Sequence, residues 1–208
     1  LNIYLKWENR QITGSFKARG ALNKVLSLQE WERQNGLVTC SAGNHGQGVA
    51  LAAKLSNCRC IVFASDHAST VKLSAMRELG AEVRLVDGGY SLAESMAKEF
   101  AAKGNHQFVS PYNDVQVVAG QGTIGLELIE QTNGLKNISS VVVPVGGGGL
   151  ICGIAASLEG LTEKVSIIGA QSEASGYAHA LFTSGSQQGV QEWDSLADGL
   201  AGEIAHDS

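Results

Sequence analysis

Lys17 stands in Thr13-Gly14-Ser15-Phe16-Lys17-Ala18-Arg19-Gly20, directly after a Gly-Ser turn and an aromatic residue, where a helix is predicted to begin. At such a position the backbone places the amine more tightly than it does on an open surface, and an amine so placed can act as a nucleophile or a base. Alone, Lys17 is one of 15 Lys and Arg residues, and most such side chains simply lie on a solvated face. The case for chemistry therefore rests on two loops elsewhere in the chain.

The first loop is Val145-Gly146-Gly147-Gly148-Gly149-Leu150, between a predicted strand and a predicted helix. Consecutive glycines let the backbone approach an anion, and the N–H groups of the next helix supply partial positive charge, so Gly146, Gly147, Gly148 and Gly149 read as a phosphate cradle. Ile151 and Cys152 stand where G-x-G-x-x-G would have its third glycine, and no Lys-Ser/Thr pair follows, which disfavours a dinucleotide or a nucleoside triphosphate. A plain strand-to-helix turn is the competing reading, but four glycines exceed what one turn needs. The second loop, Ser41-Ala42-Gly43-Asn44-His45-Gly46, offers a hydroxyl, an amide, an imidazole and backbone N–H groups, a set that suits a carboxylate. His45 by itself would be a capping or core histidine; beside Asn44 it joins the anion site. Thr39-Cys40-Ser41-Ala42-Gly43 lacks the first glycine of a nucleophile elbow, and no spaced set of His and carboxylates points to a catalytic metal. One placed amine, one phosphate cradle and one carboxylate loop imply a phosphate-bearing aldehyde bound as a Schiff base, with an amino acid as substrate. Pyridoxal 5'-phosphate is that cofactor.

The elements that must position these residues alternate along the chain. Residues 3–7 alternate and contain β-formers, predicting a strand; a helix follows from Phe16, with Leu22, Val25 and Leu26 on one face. Residues 37–40 predict a strand, 49–53 a helix, 60–64 a buried strand, 70–79 a helix and 82–86 a strand. Ser91-x-x-Glu94 reads as a capping box, with Leu92, Ala93, Met96, Ala97, Phe100 and Ala101 on one helical face. Strands over 107–109, 141–145 (a central strand) and 165–170 and helices over 115–131 and 150–158 complete the pattern. The fold class is α/β with mostly parallel sheets. The chain begins within two residues of a strand and stops at His206-Asp207-Ser208 with no closing element, as a piece of a longer protein would.

Composition limits the partners. The 208 residues carry a net charge of -5, which removes the basic footprint of nucleic-acid or anionic-membrane binding. The apolar runs stop far short of the roughly 20 residues of a membrane helix, and no basic-then-apolar leader opens the chain, so a soluble, cytoplasmic protein is expected. Cys40, Cys58, Cys60 and Cys152 lack the spacing of a zinc site and read as reduced and structural. The 26 glycines lie far above the usual share of about 7% and suggest tight loops close to a ligand.

Four stretches carry a family resemblance. They are Lys6-Trp7-Glu8-Asn9-x-Gln11-x-Thr13-Gly14-Ser15-Phe16-Lys17-x-Arg19-Gly20-Ala21, Ser41-Ala42-Gly43-Asn44-His45-Gly46-Gln47-Gly48, Ala119-Gly120-Gln121-Gly122-Thr123 and Val143-Pro144-Val145-Gly146-Gly147-Gly148-Gly149-Leu150. In this order they resemble the threonine dehydratase and serine racemase branch of the fold-type II (tryptophan synthase β-like) pyridoxal-phosphate enzymes. The resemblance implies a large domain of residues 1–35 and 114–208, a small domain of residues 36–113, and the cofactor between them. It makes Lys17 the Schiff-base lysine, Phe16 a neighbour of the cofactor ring, Asn44 a partner of the ring 3-oxygen and the 146–149 loop the phosphate cradle. Ser41, Ala42, Gly43, Asn44 and His45 become the substrate loop, Pro111-Tyr112-Asn113 lines the cofactor's other side, and Asp198-Gly199 forms a second substrate-side turn. Glu8, Arg19, Gln121 and Thr123 are read as structural.

The implied reaction is β-elimination of water from L-threonine or L-serine, followed by hydrolysis of the released enamine to a 2-oxo acid and ammonia, in a homo-oligomer (dimer or tetramer) of the full-length protein. Three departures qualify it. Ala42 occupies the position at which racemases of this branch carry a serine acid/base, which favours elimination. Gln171 and Tyr177 fall where acids of a divalent-cation site are expected, so no metal is assigned. The residue facing the pyridine nitrogen would lie beyond Ser208. A relative that binds cofactor without turnover is the alternative reading, and a serine racemase stands behind both.

Overall fold

The computed structural model describes residues 2–160 and 165–204. His206-Asp207-Ser208 lie outside the described residues. The chain divides into two compact units, Leu1–Gly120 and Gln121–Ser208.

The first unit holds α1 (Lys17–Ser27), α2 (Glu30–Gln34), β1 (Leu37–Cys40), α3 (Asn44–Leu55), β2 (Cys60–Ser65), α4 (Thr70–Glu78), β3 (Glu82–Val86), α5 (Tyr90–Lys103), β4 (Gln107–Phe108) and the first turns of α6 (Val115–Gln131). Its four strands form one parallel sheet in the order β3-β2-β1-β4, with Leu37 level with both Cys60 and Gln107. All of β1 and nearly all of β2 are buried, as parallel strands covered on both faces must be. Side chains alternate between two apolar layers. Leu37 and Val62 join Val25, Val49, Ala52 and Met76 of the helices on one face. Val38, Cys40, Ile61 and Phe63 join Ala93, Ala97 and Ala101 of α5 on the other.

The second unit pairs β5 (Ser140–Pro144) with β6 (Ser166–Ala170) in parallel and adds α7 (Gly149–Leu158), α8 (Tyr177–Ser184) and a 3-10 turn at Asp198–Leu200. Ser175 is its main polar staple. Its hydroxyl donates to Glu192 Oε2 at 2.9 Å, and Gly202 N–H donates to that same oxygen at 2.9 Å.

The α/β alternation expected from the sequence holds, and four local expectations need correction. Residues 3–7 form no strand, and Ile3, Tyr4, Leu5 and Trp7 are exposed. Their β-propensity is realised only when a neighbouring strand pairs with them. The helix α5 starts at Tyr90 with Gly89 as N-cap, so Ser91 already lies inside it and makes no capping box. Its buried stripe is Ala93, Ala97 and Ala101, while Leu92 and Met96 face outward, because the short alanine side chains let the helix lie close on the sheet. Among the described residues β5 pairs with β6 alone, so it is not a central strand there.

The glycines also divide differently from the expectation of ligand loops. Gly48 lies in α3, Gly120 and Gly122 in α6, and each serves a close approach of main chains. A Cβ on Gly120 would stand 2.6 Å from Gly20 Cα and 2.7 Å from the Arg19 carbonyl oxygen, so α6 and α1 touch backbone to backbone. Lys24 pairs with Asp114 at 2.8 Å, and Asn23 Nδ2 donates to the Gln116 carbonyl at 2.7 Å, closing the same junction with polar contacts. Gly120→Ala is expected to destabilise the protein by about 1–3 kcal/mol through overpacking, despite the roughly 1 kcal/mol by which Ala exceeds Gly in helix propensity. The midpoint of urea unfolding is the measurement.

Candidate functional site

Lys17 is the first residue of α1, with Phe16 as N-cap and the Ser15 hydroxyl accepting the Lys17 backbone N–H at 3.3 Å. Its amine turns inward and donates to the Pro111 carbonyl at 2.7 Å. Burial takes water from the ammonium form and lowers the pKa from 10.5 to about 8. The Phe16 ring flanks the amine, its centroid 5.4 Å from Nζ.

Three contacts fix the helix that carries this lysine. A Cβ at Gly48 would come within 3.0 Å of the Lys17 carbonyl oxygen, so α3 lies directly against the main chain at Lys17. Gly120 holds the next turn. Arg19 reaches back to Glu8 with Nε to Oε2 at 2.8 Å and Nη2 to Oε1 at 2.9 Å, a two-point pair largely withdrawn from water. Glu8 and Arg19 thus act where the sequence put them, in the framework.

The loop of residues 41–46, expected to suit a carboxylate, leaves the end of β1. Ser41 N–H still donates to the Phe63 carbonyl at 2.9 Å, and the Ser41 hydroxyl accepts Gly43 N–H at 3.1 Å, which turns the chain into α3. Asn44 is exposed as the first residue of α3, and Ala42 and Gly43 are half-buried. The first-turn N–H groups of a helix have no intrahelical partners and lie at the positive end of its dipole. Such groups are what an anion at this loop would meet.

His45 takes a different place from a solvent-facing ligand. It is 3% exposed, and its Nε2 stands 3.0 Å from the Val109 carbonyl. Burial, helped by the positive charge of Lys17, pushes its pKa down to about 3, so the ring is neutral. A carbonyl can only accept, which puts the proton on Nε2 and leaves Nδ1 a buried acceptor with no partner among the described residues. From His45 it is the backbone N–H, rather than the ring, that suits a carboxylate. Thr39 Oγ1 donates to the same Val109 oxygen at 2.7 Å. Directly after Val109, the Ser110 hydroxyl donates to Asn113 Oδ1 and the Tyr112 hydroxyl to Glu94 Oε1 at 3.3 Å, which shapes the segment carrying Asn113.

In the second unit the glycine loop extends the ladder, with Val145 N–H on the Ala170 carbonyl at 2.8 Å, and ends at Gly148. Gly148 is the N-cap of α7 with φ +86°, a left-handed conformation that glycine adopts without strain. Gly146 and Gly199 are neighbours: a Cβ on Gly146 would meet the Gly199 carbonyl oxygen at 3.2 Å. The loop therefore presents bare backbone at the start of a ten-residue helix, the arrangement that receives phosphate. In the first unit a desolvated amine suits condensation with an aldehyde, and in the second the bare backbone of the glycine loop suits a phosphate.

Lys17, Phe16, His45 and the 110–113 segment are brought together within the first unit, and Gly146 and Gly199 within the second. Sequence reasoning missed Thr39, the Val109 and Pro111 carbonyls, and the packing role of Gly48 and Gly120. Glycine inside a helical pattern was the available signal for the last two; backbone carbonyls carry none. Cys40 and Cys60 are buried, with thiols pushed up to about 12 by desolvation, as inert structural cysteines would be, whereas Cys152 is exposed on α7.

The family model described as pyridoxal-phosphate dependent enzyme matches residues 1–207. The L-threonine ammonia-lyase of Thermotoga maritima is 44% identical over 199 residues, which is 96% of this chain and 49% of that protein. The processed threonine deaminase isoform 2 of Solanum lycopersicum superposes with a TM-score of 0.88 at 37% identity, over 97% of this chain and 55% of that one. The serine racemase of Dictyostelium discoideum gives 0.85 at 35% identity, over 97% and 64%. The chain spans about half the length of the curated relatives it matches.

The histidine makes stability depend on acid. The unfolded ring titrates at its ordinary value of 6.5 and the folded one at about 3, so between these the unfolded chain binds the extra proton and stability falls as pH falls. His45→Gln lacks this linkage. Its denaturant midpoint should fall less steeply than the parent's in unfolding curves measured across that window.

Proposed function

The chain belongs to the pyridoxal-phosphate dependent enzymes, and we propose that it deaminates L-threonine or L-serine: the β-hydroxyl leaves as water, and the freed enamine takes a water back on hydrolysis to give a 2-oxo acid and ammonia. The observation that carries the reading is the Lys17 amine, placed at a helix start and lowered to about 8 by burial. The 44% identity to an L-threonine ammonia-lyase supports the substrate class. When bound, pyridoxal phosphate supplies an aldehyde that condenses with an amine and a ring that draws electrons from the substrate's Cα.

The chain's own residues would do the rest. With its pKa near 8, Lys17 holds a useful neutral fraction near neutral pH, so its Nζ can attack a carbonyl and can take the Cα proton of the substrate. Once protonated, Nζ keeps an acceptor in the Pro111 carbonyl 2.7 Å away. The backbone and hydroxyl groups of Ser41, Ala42, Gly43, Asn44 and His45 would hold the substrate carboxylate, with Gly199 on the substrate side. Phe16, Asn44 and Asn113 would bound the ring, and Gly146, Gly147, Gly148 and Gly149 would take the phosphate. Ala42 offers no proton donor, which favours elimination over inversion at Cα.

Residues 36–113, from which all four strands of the larger sheet come, are proposed as the small domain, with 1–35 and 114–208 as the large one. A cytoplasmic homo-oligomer belongs to the same reading. Among the described residues no helix is long and apolar enough to cross a membrane.

Adding pyridoxal phosphate should produce a visible absorption band that Lys17→Ala abolishes, and 2-oxo acid should then accumulate from L-threonine or L-serine. A band without 2-oxo acid would select the non-catalytic relative. A parent protein that gives no band overturns the cofactor reading.

A further inference from the structure

We infer that His45 is a positioning residue for Lys17, acting through the segment 109–111. This rests on the reading of Lys17 as the reacting amine. Lys17 is held at two points, and both trace back to α3. At the main chain, Gly48 of α3 lies so close that a Cβ would stand 3.0 Å from the Lys17 carbonyl oxygen. At the amine, Nζ donates to the Pro111 carbonyl at 2.7 Å. Pro111 follows Val109 by two residues, and Val109 is pinned on both of its polar groups. Its N–H donates to the Val38 carbonyl at 2.8 Å, and its own carbonyl accepts from Thr39 Oγ1 at 2.7 Å and from His45 Nε2 at 3.0 Å. His45 lies in the first turn of α3, Gly48 in the same helix, so one helix fixes both ends of the lysine.

The chemistry of the ring suits this task. The charged groups facing His45 are Lys17 and Asp114, and burial together with the Lys17 charge keeps the imidazole neutral. A neutral Nε2–H can donate to Val109 without setting a second cation beside the amine. Because His45 belongs to the loop proposed for the substrate carboxylate, anchoring that loop and placing the amine become one structural event.

The test reads the amine directly on the protein with no cofactor added, by NMR of carbon-13-labelled lysine side chains as a function of pH. The parent Lys17 should titrate with a midpoint near 8. In His45→Ala the midpoint should rise by about one unit or more toward the ordinary lysine value, as the segment relaxes and water reaches Nζ. His45→Gln keeps an N–H donor and should restore most of the lowered midpoint. Thr39→Val, nearly isosteric, removes the second donor on Val109 and should move the midpoint in the same direction by less.

A folded His45→Ala with the parent midpoint overturns the inference. So does a His45→Gln that shifts as far as His45→Ala, because packing alone would then explain the effect. Should His45→Ala not fold, an unshifted Thr39→Val together with a fully shifted His45→Gln overturns it. Neither cofactor binding nor turnover enters this readout, so a parent protein that gives no visible band would sink the proposed function and leave the coupling measurable.

Discussion

The structure of the first unit depends on how closely α3 lies against the main chain at Lys17. With a would-be Cβ at Gly48 only 3.0 Å from the Lys17 carbonyl oxygen, even a methyl group at this position would press on the main chain of α1. The start of α1 is then fixed in space, and the Lys17 side chain has little choice but to run inward toward Pro111. A second contact of the same kind, Gly120 against Gly20 and the Arg19 carbonyl, holds the following turn. Both depend on hydrogen in place of a methyl group. That is why glycine inside these helices is worth its weak helix propensity.

Withdrawal from water then sets the protonation states. Lys17 and His45 are both bases, and for both burial penalises the charged form. The positive charge of Lys17 lowers the histidine further. The result is a histidine that stays neutral across the physiological range and a lysine that is half neutral near pH 8. An unburied lysine, titrating near 10.4, would hold only a few neutral molecules per thousand at pH 8. The Pro111 carbonyl is compatible with either state of the amine, because it accepts an N–H from both.

The polar framework protects this arrangement. The Glu8–Arg19 and Lys24–Asp114 pairs are mostly shielded from solvent, so they are less screened than surface pairs and fix the helix that presents the lysine. In the second unit the glycine loop is shaped by different means: a ladder bond at Val145, a left-handed Gly148 and the close neighbour Gly199. Backbone rather than side chains lines it, the form that an anion site at a helix start would need.

Much of this was readable from residue types and spacing. The α/β alternation, a helix opening at 16–17 and the strand-to-helix turns at 41–46 and 145–149 follow from local chemistry, because glycine runs, turn residues and apolar periods act over a few neighbouring positions; the family came from the resemblance of four stretches. Residues 3–7, the start of α5 and the pairing of β5 escaped it, since a strand exists only if another strand reaches it and a cap depends on where a helix actually begins. The partners of Lys17 and His45 escaped it too. They are carbonyls of Pro111 and Val109, 94 and 64 residues away, and every residue has a carbonyl. Only the folded chain decides which of them meets a buried donor, and that meeting sets where the amine lies and how readily it gives up its proton.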